Sequence, residues 1–459
     1  MGNTMIRSII ASLLFTISLS AQVDTLWTKV YSGDIIANGQ DIIATNSGGY
    51  AITGRISDVE YENYIYLLRT DSNGDSLWSK KYQQSGASEG SSIIQSSDGG
   101  FLIAGKSNNS SNQSLATIIK TDSLGNEAWV RTYGMAGSSM NDVIQSSNGN
   151  YFAVGQNLSK AWIVKFNDVG DTLWTNSIIN DNTQSFSSVE KWDDNNFIIG
   201  GTSYDGGRNG LIAKIDLNGN FAWAKTYGHS SEWEQIYSIC TDASGQIVAA
   251  GYTTANTAGG SDLWILSVTD TGDSLWSNSF GGPYSDYGYS IRHTSDDSYV
   301  VAGSFQPSNA NNGDVFVVKT NSLGDEAWSL VFGGDDTDRA WSITQNTDET
   351  FIMVGTTESY GTYGSIWINQ LTPESYYGPV WHVSTSGSDS NDGSAILPFA
   401  SIQHAIDATR DGDTVLVQPG TFDENLNFNG KNIVVGSLFL TTQDTSYISQ
   451  TIIDGNQNG

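Results

Sequence analysis

Three carboxylates hold the same place in three successive stretches of this chain. Glu234, Asp286 and Asp338 each lie five residues before an isoleucine, Ile239, Ile291 and Ile343 respectively. Aromatic residues stand beside them: Trp233, Tyr287 and Trp341. Flat rings that stack on a sugar face, next to carboxylates that accept from its hydroxyls, are the chemistry of a carbohydrate site. Converging carboxylates also suit Ca2+. The expectation is a rim on three adjacent loops, built from these six residues and taking a glycan or Ca2+. The alternative is that the carboxylates serve hydrogen bonds inside their own loops.

Nothing else in the chain forms a reactive constellation. His229, His293, His382 and His404 have neither triad nor metal-pair spacing. Cys240 is the sole cysteine, which excludes an intramolecular disulfide framework and a cysteine-based zinc site. Asp71, Asn73 and Asp75 resemble the start of an EF-hand loop, but Gly74 comes at the fourth position rather than the sixth, and Tyr82 stands at the twelfth where Glu is needed. That segment reads as a turn. No Gly-x-Ser-x-Gly or phosphate loop occurs between a strand and a helix. The residues present therefore imply no catalytic group and no cofactor other than Ca2+.

Composition narrows the partners. Asp and Glu number 49 against 20 Lys and Arg, for a net charge of −29. Such a chain repels nucleic acid and anionic membrane surfaces, which require clustered cations. With 14 Trp, 21 Tyr and 16 Phe it has ample material for a core, so disorder does not explain the composition. At the N-terminus, Arg7 precedes the apolar run Ile9 to Leu19, and Ser18-Leu19-Ser20 offers small residues for cleavage. Residues 1–21 thus read as a signal peptide, too short to span a bilayer, and the chain as secreted or displayed at the cell surface.

The elements that must position the candidate residues are repeats. Leu26-Trp27, Leu77-Trp78, Ala128-Trp129, Leu173-Trp174, Ala222-Trp223, Leu275-Trp276 and Ala327-Trp328 recur at steps of 51, 51, 45, 49, 53 and 52 residues. A second marker keeps phase: Gly54, Gly105, Gly155, Gly201, Gly251, Gly303 and Gly355 each close an apolar run. Within one unit, LWSKKY, SSIIQS, FLIAG and LATIIKTD read as four short strands, with the Asp98-Gly99-Gly100 turn making a hairpin. Seven four-stranded units predict a seven-bladed β-propeller over residues 22–372. If the Trp strand is outermost in each blade, the Trp27 strand completes the last blade and closes the ring.

The link Asp71…Gly74…Trp78, repeated as Asp122…Gly125…Trp129, Asp216…Gly219…Trp223, Asp270…Gly272…Trp276 and Asn321…Gly324…Trp328, resembles the tryptophan-docking motif of quinoprotein-type propellers. That resemblance implies a Trp packed between neighbouring blades. It does not carry the quinone over, because the family's vicinal cysteine pair is replaced by the lone Cys240. The repeat, with its aromatic-Gly pairs such as Tyr133-Gly134 and Phe280-Gly281, also resembles repeats in large secreted proteins of Bacteroidota-like bacteria.

Beyond Pro373 the repeat stops. Residues 373–379 read as a linker. From 380 to 459 the motifs Gly387-Ser-Asp-Ser-Asn-Asp-Gly393, Pro398-Phe399, Gly412-Asp413-Thr414-Val415, Pro419-Gly420-Thr421-Phe422 and Ile453-Asp454-Gly455 resemble the start of a pectin-lyase-like right-handed parallel β-helix. Ile402, Ala405, Ile406 and Ala408 give a short helix one apolar face, suited to cap such a solenoid. Only a few coils would fit, so the sequence reads as a fragment of a longer protein. Asp413, Asp423 and Glu424 read as turn residues. The fold expected is all-β. The function expected is that of an exported or cell-surface binding or adhesion protein, non-catalytic as given, contacting polysaccharide or a surface protein through propeller loops. The alternative the resemblance implies is a polysaccharide lyase or glycoside hydrolase whose catalytic residues lie on later coils.

Overall fold

The computed structural model describes residues 21–455, except for 23–24, 34, 61, 83–86, 178–182, 205–206, 230–231, 243, 256, 258, 308–311, 362–363, 373–374, 377–379, 396, 410–412, 432 and 443–444. The signal peptide expected over residues 1–21 falls, but for Ala21, outside the described residues. The chain divides into two compact units, 23–373 and a second made of the flanking segments. Among the described residues no helix is long and apolar enough to cross a membrane.

Unit 23–373 is a ring of seven four-stranded antiparallel sheets. Blade 1 runs Ala37–Ala44, Tyr50–Ser57, Asn63–Thr70 and Ser76–Tyr82 from the centre outward. Blades 2 to 6 repeat that order, their first strands being Ser88–Gln95, Ser139–Gln145, Thr183–Lys191, Glu234–Thr241 and Tyr287–His293. Blade 7 takes three strands from residues 338–371 and its outermost from Thr25–Tyr31, which pairs with Ser365–Leu371. The N-terminal Trp strand therefore closes the ring, as the phase of the repeat predicts.

Most Trp strands alternate exposed and covered residues, and the middle strands are buried along most of their length. The covered Trp lies on the turn of the next blade. A Cβ on Gly74, at φ +76°, would fall 2.6 Å from the Trp27 ring, and Gly125 stands likewise under Trp78 at 2.5 Å. Gly170, Gly219, Gly272 and Gly324 meet Trp129, Trp174, Trp223 and Trp276 in the same way. Glycine is required twice over, for the left-handed backbone and for the ring's approach. Two or four residues after the Trp, a side chain donates to that glycine's carbonyl: Tyr82 to Gly125 at 2.7 Å, Tyr133 to Gly170 at 2.8 Å, and Asn278 to Gly324 at 2.8 Å. Asp71 serves the turn itself, its Oδ1 accepting from the N–H groups of Asn73 and Asp75 at 2.9 and 2.8 Å.

The second unit carries a parallel sheet of Val380–Val383, Thr414–Val417 and Val434–Ser437, with a second parallel pair, Gly420–Phe422 and Thr451–Ile453. In the expected linker only Ser375–Tyr376 are described, paired antiparallel with Ala21–Gln22. A helix spans Ile402–Ala408 and buries Ile402, Ala405 and Ile406 against Trp381, Phe399 and Val415. Asp389 accepts from the N–H groups of Ala400 and Ser401, and Glu424 from those of Ile402 and Gln403. Glu424 is thus no simple turn residue. It satisfies donors that the first turn of a helix leaves without partners.

Candidate functional site

The site begins with the glycine marker. Gly54, Gly105, Gly155, Gly201, Gly251, Gly303 and Gly355 all pair with the innermost strand just before a β-bulge. At Gly251, Gly303 and Gly355 a Cβ would fall 1.7 Å from a carbonyl oxygen of that strand. These glycines are needed for close approach of two backbones, which the bulge brings about. One extra residue per innermost strand is thereby left unpaired: Gln40, Ser91, Asn141, Ser187, Tyr237, Tyr289 and Trp341 in blades 1 to 7.

All seven line one cavity of about 490 Å³ at the centre of the ring. Four consecutive blades contribute Gln, Ser, Asn and Ser, and three contribute aromatic rings. Tyr289 lies between the other two, with ring centroids 5.3 Å from Tyr237 and 4.4 Å from Trp341. Tyr287 stacks on Tyr289 at 6.0 Å, and Tyr252 meets Tyr287 edge-on at 5.3 Å. Arg208 continues this arc outward. It donates to the Tyr252 hydroxyl at 2.8 Å and to Gln235 at 3.4 Å, and its guanidinium lies over the rings of Tyr204 and Trp233. Trp233 is 60% exposed.

The residue after each bulge also borders the cavity, but its side chain bonds to a neighbouring blade. Asp41 accepts from the Ile93 N–H of blade 2 at 2.9 Å and from the Ser342 hydroxyl of blade 7 at 2.7 Å. Asp142 accepts from the Ser92 hydroxyl of blade 2 and the Val189 N–H of blade 4, both at 2.8 Å. Ser188, Ser238 and Ser290 accept from the N–H groups of Ile239, Ile291 and Ile343 at 3.3–3.4 Å. Every blade interface is bridged, so the seven side chains form a closed belt around the channel. Burial raises the carboxyls of Asp41 and Asp142, the latter to about 6. Burial also lifts Glu190 to about 7, partly opposed by Arg292.

The candidate carboxylates sit on the same face, in equivalent positions at the start of the innermost strands, and all three are buried. Glu234 is 1% exposed, Asp286 and Asp338 0%. Asp286 accepts from the N–H groups of Gly282 at 2.7 Å and Gln306 at 2.8 Å. Asp338 accepts from the Gly334 N–H and the Ser359 hydroxyl, and Glu234 from His229 and Thr253. These contacts tie each blade's entry turn to its own second loop, the arrangement the alternative reading describes. The three carboxylates accept from donors at each buried entry turn, while Glu234 Oε2 and Asp338 Oδ1 are buried with no hydrogen-bond partner among the described residues.

The aromatic candidates separate. Trp341 lines the channel, Tyr287 packs behind it, and Trp233 stands at the outer end of the arc. They occupy different register positions. The true equivalents of Trp341 are Tyr237 and Tyr289, each two residues before the isoleucine used for counting. That offset was available as Tyr-Ser-Ile, Tyr-Ser-Ile and Trp-Ser-Ile. Arg208, Arg292 and Arg339 carried no periodic signal.

Among the described residues no group of three or more His, Cys, Asp or Glu side chains converges as a metal site would require. No known protein family matches the chain, and no curated protein does. Solved structures show similarity of fold alone. A catalytically inactive virginiamycin B lyase from Staphylococcus aureus, with quinupristin, shares 12% identity at a TM-score of 0.50, covering 76% of this chain and 99% of that one. A protein of unknown function from Dyadobacter fermentans has a TM-score of 0.49 at 12% identity, covering 76% and 99%. The Neurospora crassa Pan2 WD40 domain has 0.48 at 11%, covering 76% and 96%. The similarity to the lyase structure is one of fold, the seven-bladed β-propeller.

Proposed function

We propose that the chain is an exported or cell-surface binding or adhesion protein that holds a polysaccharide over the mouth of its propeller channel. The observation that carries this reading is the divided ring of bulge residues. Three aromatic faces, Tyr237, Tyr289 and Trp341, stand opposite hydroxyl and amide groups from Gln40, Ser91, Asn141 and Ser187. A sugar has an apolar face for the first group and hydroxyls for the second. A cavity of about 490 Å³ falls in the usual range for ligand sites. Trp233 and Tyr287 extend the stacking surface, while Glu234, Asp286 and Asp338 hold the surrounding loops.

Export rests on the leader-like residues 1–21. The second unit is read as the opening of a parallel β-helix, supported by its parallel strand pairing and its apolar-faced helix.

Titration calorimetry with a panel of neutral and charged polysaccharides tests the site. Binding to at least one of them, weakened about tenfold by Trp341→Ala or Tyr289→Ala, is expected. Absence of heat across the panel, or heat indifferent to both substitutions, overturns the reading.

A further inference from the structure

The chain's few cations are distributed unevenly. Lys29, Lys106, Lys120, Lys191, Lys225 and Lys319 each pair with an Asp or Glu. Arg208, Arg292 and Arg339, like Arg55, Arg69 and Arg131, make no ion pair among the described residues, in a chain with 49 acidic side chains to choose from; what sets these three apart is that each lines a cavity beside aromatic rings. Arg208 instead donates to neutral phenols and an amide. Arg292 donates to the Ile291 carbonyl at 2.8 Å. Arg339 is exposed.

These three arginines divide among three cavities. The central one, about 490 Å³, contains Arg292 with Tyr237, Tyr289 and Trp341. A second, of about 320 Å³, contains Arg339 with Tyr287 and Tyr289. A third, of about 450 Å³, contains Arg208 with Tyr204 and Trp233. They adjoin: Tyr289 lines the first two, and Arg208 touches Gln235 of the first. Each therefore offers one guanidinium beside at least one aromatic face.

From this arrangement we infer that the propeller mouth binds an anionic glycan, its acidic sugars seated one per cavity on Arg208, Arg292 and Arg339. The inference rests on the polysaccharide reading of this face and names the class of polymer. A planar guanidinium takes a carboxylate or sulfate in two parallel hydrogen bonds, while the adjoining ring receives the sugar face. A cationic guest fits less well, since Asp41 and Asp142 in the central wall already accept from neighbouring blades. Asp41 and Glu190 share the field of Arg292, which makes that position the weakest of the three.

The test uses the full chain and three hexasaccharides: a uronic acid oligomer, the same oligomer with its carboxylates reduced to alcohols, and a sulfated neutral oligomer. Calorimetry is run at about 20 and about 200 mM salt. The uronate or the sulfated probe should bind about tenfold more tightly than the reduced one, and lose affinity with salt. Whichever is tighter identifies the anion. Arg339→Gln should lower the preference several-fold, the other two seats remaining, without affecting the reduced probe, with Arg339→Lys losing less of it. Arg208→Gln should act alike and Arg292→Gln least. Thermal midpoints of all variants guard against misfolding, and Arg339, being exposed, is the decisive position. Equal affinity for charged and reduced probes, still weakened by Trp341→Ala, overturns this inference and leaves the binding role standing. No binding of any probe, or binding indifferent to Trp341→Ala, overturns both.

Discussion

Two neighbouring positions on each innermost strand behave in opposite ways. The bulge residue faces the channel and changes character around the ring, from Gln40, Ser91, Asn141 and Ser187 to Tyr237, Tyr289 and Trp341. The next residue is always Asp or Ser, and its side chain bridges to an adjoining blade. A side chain that must satisfy a buried donor is constrained by that donor, whereas one that meets solvent is free to vary. Closure and recognition are thus carried by adjacent residues of one strand. The bulge separates them by turning one residue out of the ladder.

The strongest way to break this comparison is to remove closure altogether. Deleting residues 22–33 takes away the outermost strand of blade 7 together with Trp27 on Gly74. Unfolding followed in denaturant should cease to be one cooperative transition. A single transition with nearly unchanged midpoint would show that the belt closes the ring without that strand.

Next in size is Asp41→Ala, which strips the acceptor from Ile93 N–H, Ser342 hydroxyl and Ile42 N–H. Buried donors left unmatched should cost about 3 kcal/mol in chemical denaturation. Trp341→Ala, in the adjacent blade, should cost only about 1 kcal/mol while abolishing most glycan affinity. If Asp41→Ala impairs binding without loss of stability, the division between the two positions fails.

Acidity supplies a third, smaller effect. Glu190 at about 7 and Asp142 at about 6 both lie above their unfolded values of 4.5 and 3.8. A raised carboxyl stabilises the fold while protonated, so that contribution is complete below the unfolded pKa and vanishes as pH rises through the folded one. Denaturant midpoints should therefore decline from pH ~5 to ~8, and Glu190→Gln should flatten the decline. A rising profile, or one that Glu190→Gln does not alter, contradicts the enclosed carboxyl.

The smallest effect is expected for Ser238→Ala. It removes one 3.3 Å bond to Ile291 N–H and should cost about 1 kcal/mol, with binding intact. A loss as large as that of Asp41→Ala would mean the belt acts as one cooperative unit.

Much of this protein is determined by local chemistry that sequence displays. A Trp every fifty or so residues needs a glycine beneath it, and hairpins need Asp-Gly or Gly-Gly, so blade number, strand order and ring closure follow from spacing alone. The glycine marker likewise announces the close approach at each bulge. Which side chains then meet in the channel is a matter of the ring. Tyr237, Tyr289 and Trp341 lie 52 residues apart along the chain and become neighbours only because consecutive blades stand side by side. Counting in sequence reached Glu234, Asp286 and Asp338, because a repeated carboxylate looks the same whether it faces a ligand or a buried amide. Burial decides between them, and burial depends on what every other blade contributes to the same space.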